Sequence, residues 1–515
     1  MRNKEAASAR TQVGKFAPTI LLATLLAFTL EFVTDASLVS EFARSMAARI
    51  FAPYTSFFYS HASDAQATKD RILVVDVGAP TLQSLRTTGA ISYGQHARIL
   101  ERIRLAKPAA VFLDFQFQSE REDESLSQLQ ATLCAFQADG IPVFLAAGSE
   151  IAKGRLRPEL DNLRNAQGQP CFSKVAVSYD SSEIDHIVWT YPLLSDLGGQ
   201  PMPSAALALA RVIHGESLAE VDDHPLMGLS WASSSDETGP SWQIESEKPD
   251  HADKNSQLQH YCRPTTWRDL VPLQAILTRS ISFASDTRPQ CPLHGSIQAS
   301  KLTEPKTAEQ TQSQVESIRN RLVLYGGSYD ANDFINSPLH GEIPGIYLHA
   351  QATDNLVRHG EDWRHPTMGG AWGHSVEHAI TLIAFMCVTM CFVITRGSLI
   401  WLGQMMVYLL EPTKPFKTLQ TTKHTLSQCH EVLKKSKVHY LYSLSGKVIG
   451  NLIGQLGRFI VGLLMAVPFS WAMEQAFQIS AIGYGSILAF CLMGEVIVST
   501  AEIEDDILIS RDSNT

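Results

Sequence analysis

Between Arg321 and Val357 the chain reads RLVLYGGSYDANDFINSPLHGEIPGIYLHAQATDNLV, and few folds accommodate that order of residue types. Leu322–Tyr325 is a short apolar run of the kind that forms a strand buried on both faces. Gly326 and Gly327 follow, and there the strand is expected to stop and the backbone to turn. The next residues are polar and carry Asp330 and Asp333, while Pro338 and Pro344 stiffen the loop. Ile346–Leu348 returns to apolar residues, and Ala350–Val357 has helical character. Strand, glycine turn, acidic loop and helix together form one edge of an α/β domain.

The chain upstream repeats this alternation. Residues 71–77 and 109–117 read as strands with a helix over 96–105 between them, a βα-type unit that implies a parallel pair covered by helices. A further strand is expected over 141–147 after a helix near 125–138. Residues 174–179 and 187–193 read as a pair of strands joined by the polar turn SSEID, and 203–213 as a helix with an alanine-rich packing face. The fold class is therefore α/β, a large mixed sheet covered by helices. Residues 233–258 and 286–320 are polar without a clear period and are expected to be surface insertions.

Several of these segments carry a family resemblance. A strand ending in Gly326, the acidic Asp333, Ser337–Pro338, Pro344–Gly345 and His349–Ala350 before a helix resemble the C-terminal part of the type-2 CHASE domain. The resemblance continues upstream in ILVVDVGAPTLQSL, in YGQHARILERIRLAKPAAVFLDFQF and in WTYPLLSDLGGQPMPSAALALARVIHGESL, so that it covers roughly residues 70 to 360. That family is an extracytoplasmic sensory module of bacterial membrane receptors, and the resemblance implies signal reception. Its members usually carry a cytoplasmic cyclase or kinase domain after the last membrane span. None is expected in this sequence, so the signal is expected to pass to a separate partner. The polar stretches depart from the family's short, strand-rich connection.

Composition and charge supply the rest of the expected architecture. Hydrophobic residues at 45% and charged residues at 18% suit a globular part plus membrane spans. Residues 1–15 are basic, and 16–33 form an apolar anchor just long enough to cross a bilayer core of ~30 Å. A cleaved signal peptide is the competing reading. Residues 34–69 read as a stalk with helical spacing at Phe42, Met46, Ile50 and Phe51, and 70–365 as the periplasmic sensory domain. Further spans are expected over 376–395, 459–473 (starting near 448 if extended back) and 479–498, making about four. Residues 398–410 are apolar but too short to span. Between the spans, 396–458 carries Arg396, Lys414, Lys417, Lys423, Lys434, Lys435, Lys437, Lys447 and Arg458 against Glu411 and Glu431. The positive-inside rule places this amphipathic segment and the acidic tail 499–515 in the cytoplasm of a multi-pass inner-membrane protein. It is expected to lie against membrane lipids or to stand as a solvated loop.

The function classes narrow by elimination. A net charge of −10 gives no nucleic-acid footprint. No GxGxxG, GxxxxGK[ST], GxSxG, HExxH or CxxC pattern is present, so neither a catalytic set nor a cofactor or metal site is expected. Cys134, Cys171, Cys262 and Cys291 lie in the soluble part and form one or two disulfides if that part is periplasmic, or stay as buried thiols. Asp76 and Asp114 stand at the ends of apolar strands, where α/β folds hold ligands, and with Asp333 they are expected to line one crevice. Capping of the following loops is the plainer role. His349 completes the candidate ligand-binding set, with a structural histidine as its alternative. The expected protein is a membrane-bound sensory subunit that signals to an unidentified effector, with a second copy of itself as a further candidate partner. The competing class is a structural subunit of an envelope complex that uses the same domain for protein–protein contact.

Overall fold

The structure is a computed structural model. It describes residues 48–49, 52–53, 55–62, 64–87, 91–118, 123–147, 153–183, 185–215, 218, 226–234, 262–265, 289–303, 307–329 and 333–364, all within one compact unit. The expected anchor 16–33, the spans 376–395, 459–473 and 479–498, the segment 396–458 and the tail 499–515 lie outside the described residues, as do Asp330 and most of the stretch 233–258. Among the described residues no helix is long and apolar enough to cross a membrane.

In chain order the strands are β1 (Ile72–Val77), β2 (Ala110–Asp114), β3 (Val143–Ala146), β4 (Ser173–Val175), β5 (Thr190–Pro192), β6 (Leu194–Asp196), β7 (Pro201–Pro203), β8 (Leu226–Gly228), β9 (Ser296–Gln298), β10 (Leu322–Gly327), β11 (Phe334–Ser337) and β12 (Gly341–Pro344). The helices are α1 (Ala65–Lys69), α2 (Ala79–Ser84), α3 (Tyr93–Leu105), α4 (Leu126–Ala138), α5 (Pro158–Asp161), α6 (Ala205–His214), α7 (Ala299–Thr303), α8 (Ala308–Ile318) and α9 (Gly345–His359). A six-stranded sheet in the order β4-β3-β2-β10-β1-β9 forms the centre, and every neighbouring pair in it is parallel.

Parallel strands need both faces covered, and the side-chain parity of the sheet shows how this is done. Val75, Val77, Leu113, Leu145, Val323 and Tyr325 face one way, into a core with Ile99, Leu100 and Ile103 of α3, Leu129 and Leu133 of α4, and Ile318 of α8. The alternate residues face α6 and α9, which pack on the opposite side and on each other. The result is a three-layer α/β/α domain. Helix α3 begins where the sequence can cap it: the Ser92 side chain accepts from the Gln95 N–H, and the Gln95 side chain accepts from the Ser92 N–H.

Four expectations need correction. The central sheet is parallel rather than mixed; antiparallel pairing is confined to the two-stranded ribbons β5/β8, β6/β7 and β11/β12. The stretches 174–179 and 187–193 do not pair with each other: β4 joins β3, and β5 joins β8. The polar turn between them misled the reading, because pairing is decided by which buried face each strand completes. Residues 286–320 are not merely an insertion, since they supply edge strand β9 and helices α7 and α8. All three are short or rich in Gln, Ser and Glu, and an edge strand needs little apolar sequence. Gly326 and Gly327 lie inside β10, not beyond its end.

Two disulfides are formed, Cys134–Cys171 and Cys262–Cys291. The first ties α4 to the approach of β4 across 37 residues, a closure worth roughly 4 kcal/mol on loop entropy. The second clamps the base from which 266–288 leave and return. There Cys291 N–H donates to Arg263 O, and Ser234 N–H to Cys291 O. The expected stalk also contributes to the domain: residues 55–61 are helical, and Tyr59 is buried with its hydroxyl 2.6 Å from Asp354 Oδ2 of α9.

Candidate ligand-binding site

Strand β10 is flanked by β1 and β2, and the chain leaves these strands on different sides. From β1 and β2 it passes to helices on the α3/α4 face, whereas from β10 it passes through β11 and β12 to α9 on the other. Diverging connections open a crevice at the carboxyl end of a parallel sheet, the usual ligand position in this architecture. Asp76, Gly326 and Asp114 form one row across its floor, since Asp76 is in register with Gly326 and Gly326 with Asp114.

Two glycines allow α9 to settle on this row. A Cβ on Gly326 would meet Ile346 Cδ1 at 2.9 Å and Asp114 Cβ at 3.0 Å. A Cβ on Gly345, the first residue of α9, would meet Asp333 Oδ1 at 2.9 Å. Their missing side chains bring the amino end of α9, Asp114 and Asp333 together. The free N–H groups of that helix end favour the ionised form of the carboxyl beside them.

The Asp114 side chain is only 9% exposed, and His349 Nε2, 3.9 Å from its Oδ2, is its partner at ion-pair range among the described residues. That separation is too long for a hydrogen bond, and Asp114 Oδ2 has none. Burial, and then the nearby Asp333 charge, push the Asp114 carboxyl well above the ordinary carboxylate range. His349 supplies no compensating charge, because burial pushes its imidazole down to about 3. Its Nδ1 lies 2.7 Å from Tyr191 Oη. Burial pushes the Tyr191 phenol up, so at neutral pH its hydroxyl keeps a proton that it can donate to His349 Nδ1. With that donation the neutral imidazole carries its own proton on Nε2, toward Asp114. Half-buried Tyr179 stands close enough to both carboxyls that its phenol is raised, first by burial and then by Asp333 and Asp114.

The structure thus brings together Asp114, Asp333 and His349 of the expected set. Asp76 belongs elsewhere: it is buried, and its Oδ2 accepts from Gln298 Nε2 at 2.8 Å, while Thr81 Oγ1 donates to Gln298 Oε1 at 2.9 Å. That network fastens edge strand β9 to β1 and α2. Two strand spacings, roughly 10 Å, separate it from Asp114. Tyr179 and Tyr191 were missed. Tyr191 lies within the WTYPLL stretch, but nothing in the local pattern distinguishes it from a packed aromatic. Among the described residues no group of three or more His, Cys, Asp or Glu is placed to hold a metal ion.

A parallel α/β domain with two disulfides and a carboxyl-edge crevice belongs to the class of stapled domains suited to an oxidising compartment. The family model described as the CHASE2 domain matches residues 20–391, and the chain belongs to that family of extracytoplasmic sensory domains. No curated protein and no solved structure matches it.

Proposed function

We propose that this protein is a membrane-anchored sensory subunit whose CHASE2 domain detects an extracytoplasmic signal in the crevice between β2, β10 and α9. The observation that carries this reading is Asp114, a carboxyl whose buried Oδ2 makes no hydrogen bond, held at the one edge of the sheet where this architecture binds ligands. Structural carboxyls are normally satisfied, and an unsatisfied one at a binding edge points to a ligand. The apolar segments 16–33, 376–395, 459–473 and 479–498 supply the anchoring, with the basic segment 396–458 as the cytoplasmic surface on which a partner would dock.

Two experiments test the two halves. A strain lacking the protein is complemented with wild type or with Asp114→Asn/Asp333→Asn at equal protein levels, and protease resistance confirms the fold. Loss of the phenotype with the fold intact is expected; full complementation would remove the crevice from signalling. For topology, cysteines introduced at Ser235 and Ser427 are labelled in intact cells with a membrane-impermeant thiol reagent, against the native-cysteine background. Ser235→Cys should label and Ser427→Cys should not; equal labelling overturns the membrane arrangement.

A further inference from the structure

The crevice holds two carboxyls of unlike condition. Half-buried Asp333 sits at the amino end of α9, where the helix favours its negative charge. Asp114 lies deeper, with 9% of its side chain exposed, and faces a neutral imidazole 3.9 Å away. The charged and titratable groups turned toward it from the surrounding elements are Asp333 from the loop after β10, His349 from α9, and Tyr191 and Tyr179 from the segments after β4. None of these is a cation. A buried carboxyl in such surroundings is stable only when it carries a proton or meets a positive charge.

We propose that Asp114 and Asp333, flanked by Tyr179, receive the primary ammonium group of a small organic cation. The inference rests on the sensory reading above and names the chemical class its crevice would take. An ammonium brings three donors, enough for both carboxyls and the Tyr179 hydroxyl, and tolerates the face of a tyrosine ring. A metal ion fits less well, because the described residues assemble no ligand set of three. Binding is an exchange: the neutral Asp114 acid releases its proton to solvent, and the resulting carboxylate pairs with the incoming ammonium. No covalent bond changes. Affinity for the cation therefore rises with pH, by up to about tenfold per unit, until Asp114 is ionised without help.

The test uses the full chain in detergent, with ethylammonium chloride as the probe and tetramethylammonium chloride, which has no N–H donors, as the control. Ethylammonium should raise the melting midpoint above the control, more at pH 8 than at pH 6, with proton uptake by a weakly buffered indicator dye. Asp114→Asn should abolish both effects while melting as a folded protein. Equal responses to the two salts overturn the proposal, as does an ethylammonium response that survives Asp114→Asn. Stabilisation on acidification alone, with no ammonium effect, makes the proton the sole occupant and likewise overturns it. These outcomes are separable from the complementation result: crevice-dependent signalling without ammonium binding sinks only the ligand class.

Discussion

Asp354 and Asp114 are two largely enclosed aspartates bordering α9, and their surroundings drive them in opposite directions. Asp354, toward the carboxyl end of the helix, accepts from Tyr59 Oη at 2.6 Å and has His294 Nε2 3.5 Å from its other oxygen. Burial pushes its carboxyl up, but His294, Tyr59 and Thr68 more than offset burial and hold it below the ordinary value. Asp114, at the amino end, has comparable burial, no such donors and a second carboxyl nearby, so it is raised. Burial sets the size of what is at stake, and the donors supplied decide the sign. The two sites border opposite halves of a helix of about 22 Å, one carboxyl with a tyrosine donor at 2.6 Å and one without such a donor.

The Asp354 end is where the domain is tied together. Arg358 donates to both carboxylate oxygens of Asp64 at 2.9 and 2.6 Å and to Tyr59 O at 2.7 Å, with its guanidinium 4.0 Å from the centre of the Tyr59 ring. Arg364 bonds the Ser230 hydroxyl, and its carbonyl accepts from the Gly228 N–H. Tyr59 and Asp64, which follow the expected anchor, are thus held by α9 directly, and Arg364, which precedes the expected second span, is held through Ser230, whose backbone bonds Gln351 and Asn355 of α9. Polar burial there joins distant segments of the chain, whereas at the crevice Asp114 Oδ2 makes no hydrogen bond.

If that contrast is right, Asp354→Ala has the largest effect. It strands Tyr59 and His294 in a closed core and should cost about 3–5 kcal/mol, read as a lower urea midpoint of the full chain in detergent. The pH profile follows from the lowered carboxyl. The stabilisation is fully present above the unfolded-state pKa and is lost as pH falls through the folded value, so the wild-type advantage over the variant shrinks in acid. A cost under about 1 kcal/mol would break the comparison at its stronger end.

Tyr59→Phe is the next step down. The ring and its packing against Arg358 remain, but Asp354 loses its shortest bond and Asn355 Nδ2 loses its 3.1 Å acceptor. A hydrogen bond to a charged group is worth about 1.5–3 kcal/mol, and that is the expected loss in the same denaturation measurement. Gly326→Ala probes the other end without touching a charge. The added methyl collides with Ile346 and Asp114 Cβ, so α9 must lift from β10 at about 1–3 kcal/mol. Amide exchange at residues 345–349 should quicken, while residues 354–358 keep their protection.

The contrast between the two ends of α9 also marks what could be read before any coordinates. Strands β1, β2, β3 and β10 and helices α3, α4, α6 and α9 were legible because each carries a long apolar run or a helical period matching the layer it completes. Asp114, Asp333 and His349 were legible as candidates because strand ends and family-like motifs single out positions. Their grouping without Asp76 was not legible, since it depends on β10 inserting between β1 and β2, a pairing 200 residues and more apart in the chain. The Tyr59–Asp354–His294 cluster left no local trace for the same reason. Its members come from three distant segments, and none carries a pattern beyond its own helix or loop. Edge strand β9 was hidden by its brevity.

The smallest expected effect is the most diagnostic. Asp114→Asn keeps the shape of the side chain and removes its ability to ionise. In the folded wild type the carboxyl is raised, so it stays protonated over a range in which the unfolded chain has already released its proton. Stability therefore falls as pH rises from the ordinary value of 3.8 toward the folded value, and is level above it. The asparagine variant lacks this penalty. At pH 7 it should be at least as stable as the wild type, and the two curves should converge as pH drops to 3.8 and below. Urea midpoints at pH 4, 5.5 and 7 check this directly. An Asp114→Asn protein less stable than wild type at pH 7 would mean that Asp114 is ionised and well paired in the folded state, as Asp354 is. The two ends of α9 would then be alike, and the crevice would lose the open carboxyl on which its binding role depends.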